Sequence, residues 1–301
     1  MIKIDLVTGF LGSGKTTFIK IYAEYLIRSG HRVGIVVNDF GPVNIDRILL
    51  GELEGENCTV EMVTTGLNDD SEAHSRRFKT KLISLKMQGF DRVIVEPSGI
   101  YDIHEFFDCL NDDPLYDWYE PGSVITLVDA DLEDDLAFES EHYLASQLSS
   151  AGIVLFSRCD MVSADMIDKT KGRINEILEK IGGVKLSRDI IAKDFSEYDN
   201  EILKKISDSG YVGEGRIKPL DDAKEHFHTA FYTDFQYSSI EELKSGISEL
   251  MTEYKEGKVL RIKGFVNIEG ISYEINASHN GIRIIRCSML LQQIIIIISI
   301  K

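Results

Sequence analysis

Residues 8–17, TGFLGSGKTT, decide how this chain is read. They fit the pattern GxxxxGK[ST], with Gly9, Gly14, Lys15 and Thr16 at the four defining positions. Before them, IKIDLV at 2–7 is a short apolar strand. After them, Phe18, Ile19, Tyr22, Ala23, Leu26 and Ile27 recur at helical spacing. Phosphate binding needs this order of strand, glycine loop and helix. Glycines let consecutive backbone N–H groups turn inward around an anion, and the helix N-terminus adds partial positive charge. On this reading Gly9, Gly12, Ser13, Gly14 and Thr17 belong to the nucleotide cradle, Lys15 reaches the β/γ-phosphates, and the Thr16 hydroxyl holds Mg²⁺. A glycine turn without a ligand is the bland alternative; the flanking strand and helix count against it.

Composition narrows the partners. A chain of 301 residues with 43% hydrophobic content has room for two domains and a sizeable core. A formal net charge of −17 disfavours nucleic acid and anionic membrane as partners. Four scattered cysteines (Cys58, Cys109, Cys159, Cys287) form no CxxC pair, which argues against disulfides and thiolate clusters. The longest apolar run, at 294–298, is far short of a membrane span, and no charged leader precedes Ile2. The expected setting is the cytoplasm.

Strand-like runs at 31–38, 91–96, 123–129 and 152–156 alternate with helical stretches at 71–87, 142–149 and 164–181, the last capped by Ser163. Such alternation predicts an α/β domain, a mostly parallel sheet with helices on both faces. The segment 208–224, rich in Gly, Asp and Lys, marks a boundary between a phosphate-loop domain at 1–222 and a small α+β domain at 223–301. In the latter, strands at 229–236, 259–267, 271–277 and 281–286 surround Glu269-Gly270 and Asn280-Gly281 turns. A Ser239/Glu242 capping box opens a helix that Gly257 closes, and 294–300 reads as a buried last strand.

In parallel sheets the ligand lies beyond the carboxyl ends of the strands. Asn38 and Asp39, Glu96, Asp129 and Asp160 all fall at such ends. Glu96-Pro97-Ser98-Gly99 puts a carboxylate beside Mg²⁺ and the Gly99 N–H near a γ-phosphate. In Ser157-Arg158-Cys159-Asp160, a relative of NKxD, the Asp160 carboxylate can accept from the N1–H and N2–H₂ of guanine, a donor pair adenine lacks. The aliphatic stem of Arg158 would cover the base plane. GTP is therefore favoured over ATP.

These stretches, with VNDFGPVNID at 37–46, ITLVDA at 125–130 and VLRIKGFV at 259–266, resemble the CobW-type family of phosphate-loop GTPases, relatives of UreG, HypB and the nitrile hydratase activators. The resemblance implies a GTP-hydrolysing switch that helps deliver a metal or metallocofactor to a client protein. Lys15, Asp39 and Glu96 would serve catalysis, with Thr16 and Glu96 on Mg²⁺ and residues 38–46 as a switch segment ordered by the γ-phosphate. A nucleotide-dependent homodimer is common among such relatives. Phe10, standing where ParA/MinD-like relatives carry a second lysine, disfavours that neighbouring class.

One hallmark is altered. Where the family carries GCxCC, this chain has Gly66-Leu67-Asn68-Asp69-Asp70. The missing thiolates remove the main reason to expect tight Zn²⁺ binding. Asp69 and Glu72 could form a helix capping box, or Asp69 and Asp70, with Glu72 or His74, a second, oxygen-rich metal site. His226 and His228 offer a thin two-nitrogen clamp. Two alternatives to the delivery GTPase stand at this point: a GTP-dependent interaction switch without metal cargo, and a small-molecule phosphate-loop kinase.

Overall fold

Near-continuous apolar runs in the first two thirds of the chain build a sheet buried on both faces. The structure, a computed structural model, describes residues 1–40, 45–65, 71–101, 103–182, 185–186, 188–213, 217, 220 and 226–301; of Asp39, Phe40, Thr64, Thr65 and Ser71 it describes the backbone alone. Two compact units result, Met1–Pro219 and Leu220–Lys301.

The first unit contains strands β1 (Ile2–Gly9), β2 (Val33–Phe40), β3 (Cys58–Thr65), β4 (Arg92–Glu96), β5 (Tyr119–Asp129), β6 (Ile153–Ser157) and β7 (Ile190–Ala192). Its helices are α1 (Lys15–Arg28), α2 (Ile45–Leu50), α3 (Ser71–Met87), α4 (Ile103–Leu110), α5 (Leu115–Trp118), α6 (Phe138–Ser150), α7 (Ala164–Ile181) and α8 (Asn200–Ser207). The strands lie in the order β3-β2-β4-β1-β5-β6-β7, and every pair is parallel. On one face α1 and α8 cover Val7, Ile35, Ile94, Ile125 and Leu155. On the other, α3, α4 and α5 cover Ile4, Leu6, Val93 and Val95, while α6 and α7 cover Val128, Val154 and Phe156. The β-strand alternation thus feeds both layers.

Strands β3 and β7 and helices α2, α4, α5 and α8 add to the elements legible from periodicity, and β5 and α6 begin four residues earlier than their patterns indicate. The reasons are local. At the sheet edge, β3 buries Val60 and Val63 but interleaves Thr59 and Glu61, so its apolar run is broken. β7 is only three residues long. The signal for α8 was available: the Asp199 side chain accepts from Ile202 N at 2.8 Å, an N-cap one turn ahead of Leu203 and Ile206. Ser163 caps α7 as its sequence predicts.

A buried polar knot fixes β1, the strand that carries the phosphate loop. Asp5 is fully buried, and Arg92 at the start of β4 grips it with two bonds of 2.7 and 2.8 Å. Tyr22 OH (3.0 Å) and Ser123 N (2.7 Å) donate to the same carboxylate. Arg92 also reaches Ser207 O and Oγ, both at 3.2 Å, at the end of α8. Burial pushes the Asp5 carboxyl up, against the opposing pull of the guanidinium and the two other donors.

The second unit pairs β8 (Phe227–Tyr232), β9 (Lys258–Ile268), β10 (Ile271–Ser278), β11 (Gly281–Arg286) and β12 (Ile294–Ile300) antiparallel, in the order β11-β10-β9-β12-β8. Helix α9 (Ile240–Glu253) packs Leu243 and Ile247 on Val259, Ile262, Val266, Ile275, Ile295 and Ile297. All seven residues of β12 are buried, as its isoleucine run predicts. Ser239 caps α9, but Glu242 returns to Ser238 N rather than to the cap residue. The β10–β11 turn falls on His279-Asn280, one residue earlier than expected, because Ser278 pairs with Gly281. Among the described residues no helix is long and apolar enough to cross a membrane.

Candidate functional site

The site forms where β1 gives way to α1. Gly14 caps α1 with φ 90, a left-handed conformation that costs a residue with a Cβ and that turns the chain into the helix. Ser13 N bonds back to Phe10 O at 3.2 Å, closing the loop on itself. Gly12 and Ser13 are buried, Thr17 is exposed on the first turn of α1, and Gly9 ends β1. Lys15, 6% exposed, folds over the loop and donates to Gly9 O at 2.8 Å. Its ammonium therefore lies along the inner rim of the cradle.

Thr16 is the meeting point. Its hydroxyl lies 2.8 Å from Glu96 Oε1 and 3.1 Å from Asp46 Oδ1. One proton can serve one carboxylate at a time, so three hard oxygen groups share one small volume. Glu96 arrives from the end of β4, as the strand-end rule predicts, and is 3% exposed. Asp46 arrives from the first turn of α2 and is 7% exposed. Sequence reading placed Asp46 only at the end of a switch segment. The visible signal was an acidic residue opening a short apolar helix. Asp39 lies on β2, but its side chain falls outside the described residues.

Gly99 is fitted against the phosphate loop. A Cβ there would sit 2.7 Å from Leu11 N and 2.8 Å from Leu11 Cδ2, so only glycine permits this approach. Gln147 of α6 pins the turn by donating to Gly99 O at 3.1 Å. Ser157 ends β6, buried. Arg158 follows in a left-handed conformation, φ 58. Its guanidinium donates to Gly12 O at 2.8 Å and pairs with Asp129 at the end of β5. The sequence assigned the stem of this residue to the base; the structure adds that its head joins the turn after β6 to the phosphate loop. Asp160 is exposed on the short turn that follows. Phe195, beyond β7, packs against Phe18 of α1 and Tyr198, an aromatic wall that sequence reading missed.

Thiolate chemistry is weak here. Burial, with the carboxylates of Asp160, Asp194 and Glu197 beside it, pushes the Cys159 thiol up to about 11. Burial also pushes Cys58 and Cys109 up to about 11. Among the described residues no group of three or more His, Cys, Asp or Glu side chains is arranged to hold a metal ion. Asp69 and Asp70 lie outside the described residues. His228 is engaged by Glu256, with Nδ1 2.8 Å from Oε2.

A parallel sheet whose first strand ends in this loop, with a hydroxyl and two carboxylates at the helix start, defines a phosphate-loop nucleotide hydrolase. Residues 3–183 match the model of the CobW/HypB/UreG nucleotide-binding domain, and the chain belongs to that family of GTPases. It is similar to the zinc chaperone CobW of a Sinorhizobium species, 23% identical over 94% of this chain and 86% of that protein. It is also similar to the zinc chaperone YjiA of Escherichia coli K12, 24% identical over 89% of this chain and 83% of that one. The Zn(II)-bound crystal structure of the YjiA GTPase aligns with 100% of this chain and 94% of its own at a TM-score of 0.45 and 18% identity. The family favours neither the kinase alternative nor a switch without cargo.

Proposed function

We propose that this chain is a GTP-hydrolysing switch whose nucleotide cycle gates delivery of a divalent transition metal to a metal-requiring client protein. GTP hydrolysis in the service of metal delivery follows from the family; the assignment of roles to residues is our reading. The observation that carries it is the Thr16 hydroxyl within hydrogen-bond distance of both Glu96 and Asp46.

Hard oxygen donors in that arrangement suit Mg²⁺. Thr16 and Glu96 would hold the ion, with Asp46 beside them, and bound Mg²⁺ would neutralise charge on the β- and γ-phosphates. The chain's own groups do the remainder. Backbone N–H groups from Gly12 to Thr17 receive phosphate oxygens at the start of α1. Lys15, on the inner rim, supplies a cation to charge that grows as the γ-phosphoryl group leaves. Gly99 presents its N–H near the γ-phosphate, and Asp39 orients the attacking water. Asp160 accepts from guanine while Ser157 and Arg158 hold its loop in place.

The cargo is a substrate of this cycle. The two relatives described above are zinc chaperones by name, whereas Leu67, Asp69 and Asp70 replace the thiolates of the family motif in this chain. A harder ion such as Mn²⁺ or Co²⁺ therefore competes with Zn²⁺ for the assignment. The setting proposed is cytoplasmic, and a homodimer formed with GTP is the expected assembly.

Turnover decides the core of this reading. Purified protein with Mg²⁺ should release phosphate from GTP and not from ATP, and Thr16→Ala should lower kcat roughly a hundredfold. ATP preference with phosphate transfer to a metabolite would overturn it. Equilibrium dialysis against Mn²⁺, Co²⁺, Ni²⁺ and Zn²⁺, with GDP and with a GTP analogue, should show one ion whose affinity depends on the nucleotide.

A further inference from the structure

A contact outside the nucleotide pocket joins helix α3 to the strand that runs into it. Asn38 is the third residue from the end of β2, 4% exposed, and His74 sits on the first turn of α3, 8% exposed. His74 Nε2 lies 2.6 Å from Asn38 Oδ1. An amide oxygen only accepts, so Nε2 carries the proton and donates. The contact bridges 36 residues of sequence, which makes it tertiary rather than a local turn.

Its position gives it consequence. In the sheet Val37 is paired with Glu96, so Asn38 lies one residue beyond the register partner of the carboxylate that meets Thr16. Asp46, the other carboxylate at Thr16, follows Asn38 by eight residues in the sequence. Asn38 and Val36 share the face of β2 that α3 covers, and Phe78, Leu82 and Leu85 anchor α3 to that face. Those apolar contacts hold the body of α3. His74 adds a polar contact between the first turn of α3 and the end of β2.

We propose that His74 is a positioning residue for hydrolysis: through Asn38 it fixes the end of β2 beside Glu96, and it transmits displacements of the first turn of α3 to the nucleotide site. Its proposed action runs through Asn38 and not through the reacting atoms. This rests on the GTPase reading above, and it predicts an effect on turnover rather than on nucleotide capture, because the phosphate loop and the Asp160 loop lie on other strands.

The test compares wild type, His74→Ala, His74→Gln, Asn38→Ala and the double alanine variant in steady-state GTP hydrolysis and in titration with a fluorescent GDP. His74→Ala should lower kcat about tenfold while GDP affinity stays within about twofold. His74→Gln, whose amide N–H can donate to Asn38 Oδ1, should recover most of the loss. Asn38→Ala should match His74→Ala, and the double variant should be no worse than either. The proposal is overturned by a His74→Ala kcat within about twofold of wild type, by equal losses of kcat and GDP affinity without rescue by glutamine, or by single effects that multiply. Should His74→Ala not fold, Asn38→Ser tests the contact from the strand side by the same criterion. Hydrogen exchange over residues 33–40 reads positioning without turnover. It should rise in His74→Ala, and unchanged exchange overturns the proposal even if wild type hydrolyses no GTP, a result that would by itself sink only the functional reading.

Discussion

Removing the Asp5 carboxylate tests whether the strand beneath the phosphate loop is held by its buried ion pair. The Asp5→Ala variant leaves the Arg92 guanidinium, 4% exposed, with Tyr22 OH and Ser207 as its partners at 3.2 Å and no counter-charge among the described residues. Breaking one side of a buried pair costs about 3–5 kcal/mol, since the remaining charge keeps its desolvation penalty. For a unit of this size each kcal/mol lowers the midpoint by about 2–4 °C, so a fall of about 6–20 °C is expected. Trp118 is the chain's single tryptophan and packs on the core beneath α3, α4 and α5, so its fluorescence follows this unit through a urea titration. The companion variant Asp5→Ala/Arg92→Leu removes both charges and should recover most of the loss, because a matched apolar replacement of a buried pair is often neutral. Asp5→Asn keeps the shape and should fall between them. A cost below about 1 kcal/mol for Asp5→Ala, or a double variant equal to the sum of its singles, would refute the reasoning.

Three further outcomes are expected. Asp160→Ala should weaken GTP binding by about one to two orders of magnitude and leave ATP binding unchanged, measured by competition with a fluorescent nucleotide; parallel loss of both would show that Asp160 does not read the base. Gly99→Ala places a methyl group 2.7 Å from Leu11 N, overpacking that costs about 1–3 kcal/mol, and nucleotide affinity should fall by a corresponding factor with the fold intact by circular dichroism. With Cys58 and Cys109 pushed up to about 11, both remain thiols below that pH, so a disulfide reagent at pH 8 should label them slowly and faster as pH rises. Labelling as prompt as that of a free thiol would contradict their burial.

How much of the site was legible follows from whether its parts are contiguous. The phosphate loop lies in ten consecutive residues, so residue types and flanking periodicity suffice to place Lys15 and Thr16. Glu96 was legible at one remove, because strand ends gather on one side of a parallel sheet and Glu96 ends β4. The contacts of Asp46 with Thr16 and of His74 with Asn38 were not. Each residue sits on the first turn of a helix, and what it reaches depends on how that helix packs across the sheet, which neither spacing nor propensity encodes. The β10–β11 turn shifted by one residue for the same kind of reason: pairing of Ser278 with Gly281 outweighed the local Asn-Gly preference.

Arg158 shows what such contacts change in the functional argument. In the sequence it stands where NKxD carries a lysine, and only its aliphatic stem had a role, over the base plane. In the structure its fork spans Gly12 O on the phosphate loop and Asp129 at the end of β5. A lysine ammonium is a point charge and cannot present that planar pair of donors in fixed directions. The arginine therefore makes the base-side loop and the phosphate loop one mechanical piece. If guanine orders Asp160 as proposed, it also steadies the residue gripping Gly12, and the affinity for base and for phosphate should be coupled. Arg158→Lys is the informative variant. It keeps the charge and the stem, and if the coupling is real it should weaken GTP and GDP together, while the base preference set by Asp160 persists.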